Sequence, residues 1–195
     1  RRFRSVSVSG DTVSVSAKFS TEQVVDFYDA VWHLEDQGCE SVTFDFSRCT
    51  RTFPNAMIPT CAIADWFRSA RVALEVIPPT DTKTAELFRR SNWLHHLNPE
   101  VFPRSDYRAD RHLAATRYKD DSELTSLLRE TTDIAMGSTE LSSGELDALY
   151  WSLTEICGNV LDHAQAESGG LLQLAVLPDR IAFTVADTGR GIRKS

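Results

Sequence analysis

Within SLTEICGNVLDHAQ (152–165) stand a glutamate, an asparagine, an aspartate and a histidine: Glu155, Asn159, Asp162 and His163. On a helix, at 100° per residue, the first three fall within about 60° of one another, with His163 at the edge of the stripe. Leu146, Leu149, Leu153, Ile156, Val160 and Ala164 form a broad apolar face opposite, widened by Tyr150, Cys157 and Leu161. Asparagine is a poor helix former, and a merely solvated face would carry Lys, Glu or Gln in its place. An amide oxygen at that position suits Mg²⁺, which takes oxygen ligands, keeps several waters and needs only one protein donor besides phosphates. Asn159 is the candidate metal ligand. Glu155, one turn earlier, is placed to orient or deprotonate a water for attack on a γ-phosphate, which makes it the candidate catalytic residue.

A second cluster follows 28 residues after Asn159, where DTGRGI (187–192) succeeds the apolar run IAFTVA. A carboxylate accepts a hydrogen bond from the exocyclic amino group of adenine, whereas guanine presents a carbonyl there and is repelled. Asp187 is the candidate for that contact. Gly189 and Gly191 lack Cβ, so the backbone can turn sharply and approach a base closely. The two clusters together suit one task, the holding of ATP with Mg²⁺.

Such residues need elements to carry them. Val6 and Val8, then Val13, Val15, Ala17 and Phe19, alternate about Gly10-Asp11 and predict a β-hairpin with one buried face. Ser20-x-x-Gln23 is a capping box for a helix with Val24, Phe27, Tyr28, Val31 and Leu34 inward and Gly38 at its end. VTFDF (42–46) predicts a strand, and Pro54 and Pro59 bracket the start of a helix running to about Phe67. VALEVI (72–77) reads as a second buried strand, stopped by Pro78-Pro79. A short helix over 85–90 follows, and Trp93, Leu94 and Leu97 cover the core. That order predicts a small α/β domain over 1–100.

Residues 101–119 read as a linker with a short strand at 112–118. A helix from Asp121 places Leu124, Leu127, Leu128 and Ile134 on one stripe, and a loop is expected at 137–139. Ser142-x-x-Glu145 then caps the longest helix, which runs to about Ala164 and bears the polar stripe. Two strands, LLQLAVL (171–177) and IAFTVA (181–186), complete a second α/β unit over 120–195.

SLTEICGNVLDHAQ resembles the N box, and VADTGRGI (185–192) the G1 box, of the gyrase, Hsp90, histidine-kinase and MutL ATPase superfamily. The resemblance covers residues 120–195 and implies an α/β sandwich that binds ATP and Mg²⁺, with Glu155, Asn159, Asp187, Gly189 and Gly191 in the roles above. The tail Asp162-His163-Ala164 is similar to the version in histidine kinases and anti-sigma-factor kinases, and it adds Asp162 and His163 to the nucleotide-binding residues. Residues 1–100 resemble, in pattern more than in identity, the STAS-like domain of anti-sigma-factor antagonists: a strand ending VTFDFS, a loop, then a proline-flanked helix. In that family the loop offers a phosphorylatable serine; here Phe53-Pro54-Asn55-Ala56-Met57 has no hydroxyl, and Ser47, Thr50 and Thr52 do not match the motif. The superfamily fold continues past G1 into a lid, a second glycine motif and further strands. Residues up to Ser195 hold none of these, so the expectation is an ATPase domain truncated after G1 and inactive alone, whatever the parent protein catalyses.

The resemblance implies an ATP-gated regulatory protein with a protein partner, with or without hydrolysis or protein phosphorylation. The alternative is a partner-switching interaction module with a vestigial nucleotide site. A net charge of −7 argues against nucleic acid as the main partner. No apolar run approaches the ~20 residues of a membrane span, and no signal peptide is visible, so a cytoplasmic protein without a membrane partner is expected. Cys39, Cys49, Cys61 and Cys157 form no Cys-x-x-Cys pair and read as buried thiols in a reducing compartment. His95 and His96, adjacent in a regular element, point apart and make a poor metal pair.

Overall fold

The structure, a computed structural model, describes residues 5–164 and 168–189, the side chains of His163 and Ala164 excepted. The chain is α/β and divides into two compact units, Arg1–Ser105 and Asp106–Ser195.

In the first unit β1 (Val6–Ser9) pairs antiparallel with β2 (Thr12–Phe19), as the alternation predicts. α1 (Thr21–Asp36) crosses to β3 (Ser41–Thr52), parallel to β2, and α2 (Pro54–Ser69) crosses to β4 (Ala73–Ile77), parallel to β3. Parallel neighbours require such crossovers. The sheet order is β1-β2-β3-β4, followed in the chain by α3 (Thr82–Arg90) and α4 (Trp93–Leu97). One face of the sheet is apolar: Val13, Val15, Val42, Phe44 and Phe46 are buried, while Ser14, Thr43 and Asp45 between them are half-buried. Rings from all four helices close on that face. Phe27 of α1 sits 4.9 Å from Phe44, Phe67 of α2 5.9 Å from Phe44, and Phe88 of α3 5.3 Å from Phe46 and 5.4 Å from Trp93 of α4. These separations are those of favourable tilted and edge-to-face pairs. The Ser20–Gln23 box is formed, with the Ser20 N–H and hydroxyl both donating to Gln23 Oε1. At the other end of α1, Gly38 N–H donates to the Glu35 carbonyl and Cys39 N–H to that of Leu34, a Schellman stop.

Several expectations are corrected. β3 is twelve residues long and runs to Thr52, so Ser47, Thr50 and Thr52 lie in a strand and no loop separates it from α2. Its register against β2 shifts twice, and Ala17, at φ +58°, is exposed where the alternation put it inside. Pro59 lies within α2 and does not open it. β4 is an edge strand with only Val76 buried. Cys39 is half-buried and its thiol donates to Asp11, whereas Cys49, Cys61 and Cys157 are buried. Alkylation by iodoacetamide in the native state is therefore expected at Cys39 first, with the other three labelled only after denaturation, as peptide mapping would show. Early labelling of Cys157 would contradict the packing of the second unit.

In the second unit β5 (His112–Tyr118), β6 (Gly170–Val176) and β7 (Ile181–Asp187) form an antiparallel sheet in the order β5-β6-β7. The short strand expected at 112–118, within the stretch 101–119 read as a linker, is β5, an edge strand of this sheet. α5 (Asp121–Ser138) and α6 (Ser143–Asn159) cover one face, and α6 continues into a π-helical turn, Val160–Ala164. The core joins Leu124, Leu127 and Leu128 of α5, Leu153 and Cys157 of α6, and Leu113, Tyr118, Leu172, Leu174 and Val176 of the sheet. Gly137, expected in a loop, is helical, so α5 ends two residues later than its pattern suggests. The Ser142–Glu145 box is formed, with Ser142 N–H donating to Glu145 Oε2 at 2.9 Å and Glu145 N–H to the Ser142 hydroxyl at 3.3 Å. Among the described residues no helix is long and apolar enough to cross a membrane.

Candidate functional site

α6 is anchored by a narrow apolar strip. Leu153, Cys157 and Val160 are buried, with Leu149 and Leu161 packed beside them. Ile156 and Tyr150, assigned to the apolar face by angle, are 42 % and 45 % exposed. Among the described residues α6 packs on α5 and the three-stranded sheet through this narrow strip, and Ile156 and Tyr150 lie outside it. On the outward side Glu155 and Asn159 lie one turn apart, both exposed, and Asp162 is exposed in the π-helical turn that follows. No hydrogen bond or ion pair engages these three side chains among the described residues. The extra residue of the π turn changes the angular step after Asn159, so the stripe is strictly regular only from Glu155 to Asn159. The backbone of His163 belongs to that turn, and its side chain lies outside the described residues, as does Gly191.

Asp187 is the last residue of β7. It shares the helix-facing side of the sheet with Val185 and Phe183, two and four residues earlier, which pack on the α5–α6 core. Its Oδ1 accepts the Gly189 N–H at 2.7 Å, an Asx turn that fixes the carboxylate and leaves its second oxygen for another donor. The Thr188 hydroxyl pairs with that of Ser168 at 3.0 Å, tying this turn to the one that enters β6.

The structure adds two groups that the sequence reading did not single out. Asp187 pairs in register with Gly170, and Gly170 with Tyr118, so the three ends of β7, β6 and β5 form a row. Tyr118 is fully buried and its hydroxyl donates to the Cys157 carbonyl at 3.3 Å, two residues before Asn159. Burial first, then Cys157 and the charge of Asp187, push the Tyr118 phenol well above its ordinary range, so it stays a donor at neutral pH. Gly169 and Gly170 make room for it. The Gly-Gly pair was the only sequence signal for this arrangement, and it reads equally as a plain turn.

Glu155, Asn159 and Asp162 are therefore presented by one helix side, and Asp187 by the sheet end, linked through Tyr118. All are oxygen donors, the set that suits Mg²⁺ and phosphate-bound water rather than a softer metal. Among the described residues no group of three or more His, Cys, Asp or Glu is gathered to hold a metal alone, so a cation here would need a ligand's own oxygens. A separate shallow pocket of about 310 Å³ between β5 and α5, lined by Arg117, Glu123 and Glu130 among others, contains none of these residues. Comparisons with family models, with curated proteins and with solved structures find no match.

Proposed function

We propose that this protein binds ATP with Mg²⁺ through its second unit, as a regulatory ATPase-like protein of the histidine-kinase-like type, and that binding alters its engagement of a protein partner. The supporting observation is that Glu155 and Asn159 stand one turn apart, exposed, on a helix whose buried side packs on the sheet ending in Asp187. In this reading Asn159 supplies the metal's one protein oxygen, Glu155 orients water, Asp187 accepts from the adenine amino group, and Gly189 holds that carboxylate. Asp162, His163 and Gly191 border the nucleotide. Bound Mg²⁺ would neutralise phosphate charge. The first unit, four strands with parallel crossovers and four helices on one face, takes the STAS-like role of receiving or transmitting the change. Tyr150 and Trp151, 45 % and 67 % exposed on α6, favour a protein surface close to the nucleotide.

Calorimetric titration of ATP and GTP, with and without Mg²⁺, tests the proposal. Binding should favour ATP over GTP and strengthen with Mg²⁺; a folded protein that binds neither nucleotide rules the proposal out. Asp187→Asn should weaken ATP binding by about 1–3 kcal/mol, the cost of leaving one polar partner unsatisfied, and narrow the preference over GTP. Equal affinity in that variant would remove Asp187 from the site.

A further inference from the structure

The row Tyr118–Gly170–Asp187 runs straight across the end of the sheet, and paired residues on neighbouring strands point to the same face. β5 and β7 are therefore separated by two strand spacings, roughly 10 Å. Only Gly170 lies between them, and it has no side chain. A Cβ built on Gly170 would collide with the Tyr118 hydroxyl and Cζ and lie 2.8 Å from Cε1, so the ring is laid over this glycine towards Asp187. From there the hydroxyl reaches up to the helix and donates to the Cys157 carbonyl. That carbonyl sits where α6 gives way to the π turn, the point at which the regular ladder of helix hydrogen bonds is interrupted. The Val160 N–H also turns to it, so the interruption is stapled from two sides. One side chain thus ties the sheet end that bears Asp187 to the helix end that bears Asn159.

We propose that Tyr118 is the positioning residue of this site: its phenol holds the helix end carrying Asn159 in place against the strand end carrying Asp187. The inference rests on the ATP–Mg²⁺ reading above and assigns to Tyr118 the alignment of the metal-binding half with the base-binding half. Tyr118 touches neither metal nor base. Removing its hydroxyl should loosen Asn159 while Asp187, fixed in the sheet and by the Gly189 N–H, keeps its place.

The test compares the wild type, Tyr118→Phe and Gly170→Ala. Amide hydrogen exchange of residues 157–162 without nucleotide reports the helix end, and titrations with MgATP and with ATP in EDTA report the two halves. Tyr118→Phe should speed exchange at 157–162 and weaken MgATP about two- to tenfold, the size of one net hydrogen bond, while metal-free ATP binding stays the same. Gly170→Ala keeps the phenol but displaces the ring, and should act in the same direction. A residue that served only the core would weaken both forms of ATP equally, and that result overturns the inference. Unchanged exchange, or unchanged MgATP affinity in a protein whose wild type binds it, overturns the inference and leaves the proposed function standing. A wild type that binds neither form of ATP overturns both.

Discussion

Replacing Gly169 by alanine is expected to cost the second unit about 3–5 kcal/mol, from a left-handed backbone denied to most side chains and a steric conflict with no exit. Gly169 has φ +69°, and a Cβ there would strike the Tyr118 carbonyl oxygen and lie 2.9 Å from Lys119 Cα. Both obstacles are backbone, so no side chain can swing away, and the entry to β6 would have to separate from the end of β5. For a unit of about 90 residues each kcal/mol lowers Tm by about 4–8 °C, so a fall of more than 10 °C in calorimetry is expected. Gly158 supplies the contrast. It is helical, with nothing within 4 Å of a Cβ, so alanine there should add about 0.5–1 kcal/mol through helix propensity. Equal thermal behaviour of the two variants would mean that the β5–β6 junction is not packed as described. The collapse should also reach the candidate site, because Gly169 precedes Gly170, on which the Tyr118 ring lies.

What could be read from the sequence was what neighbours in the chain decide. Both capping boxes, Ser20–Gln23 and Ser142–Glu145, depend on residues three apart and are formed as expected. The hairpin and the core stripe of α5 follow from periodicity, and the α/β class from the order of the elements. The errors have distant causes. β3 continues past Phe46 because β2 offers it backbone partners as far as Thr52, although Ser47, Arg48, Thr50 and Arg51 look like a loop. Ala17 is turned out by a bulge that no residue near it announces. At the candidate site, the residue types and helix side of Glu155 and Asn159 were legible at a spacing of four. The part played by Tyr118 was not, since its partners are 39 and 52 positions away and its burial is decided by the absence of a side chain at Gly170. The exposure of Ile156 was likewise invisible, because a hydrophobic period records which face is apolar but not how wide a surface waits to cover it.

Asn159→Ala is expected to abolish the Mg²⁺-dependent part of ATP binding while leaving the fold unchanged. The side chain is exposed and makes no hydrogen bond with the described residues, so truncation opens no cavity and orphans no partner. Alanine is also the better helix former, so α6 should be slightly firmer in the variant. The loss, if the proposed function holds, is therefore one of ligand chemistry. Mg²⁺ held by phosphates and water would lose its one protein oxygen, and the tightening of ATP binding on adding Mg²⁺ should fall away, by tenfold or more if that contact is worth about 1.5–3 kcal/mol as a bond to a charged group. Affinity for ATP in EDTA should match the wild type, because Asp187 and the base are untouched. Circular dichroism and thermal unfolding run beside the titration decide how the outcome reads. Mg²⁺ dependence retained in a folded variant would take Asn159 out of the metal's coordination and turn attention to the neighbouring carboxylates Glu155 and Asp162. A variant that failed to fold would show that Asn159 faces the core and not solvent, against its exposure in the structure. A selective loss, with stability unchanged, would mark α6 as a helix whose buried strip builds the fold and whose opposite side is kept for the ligand.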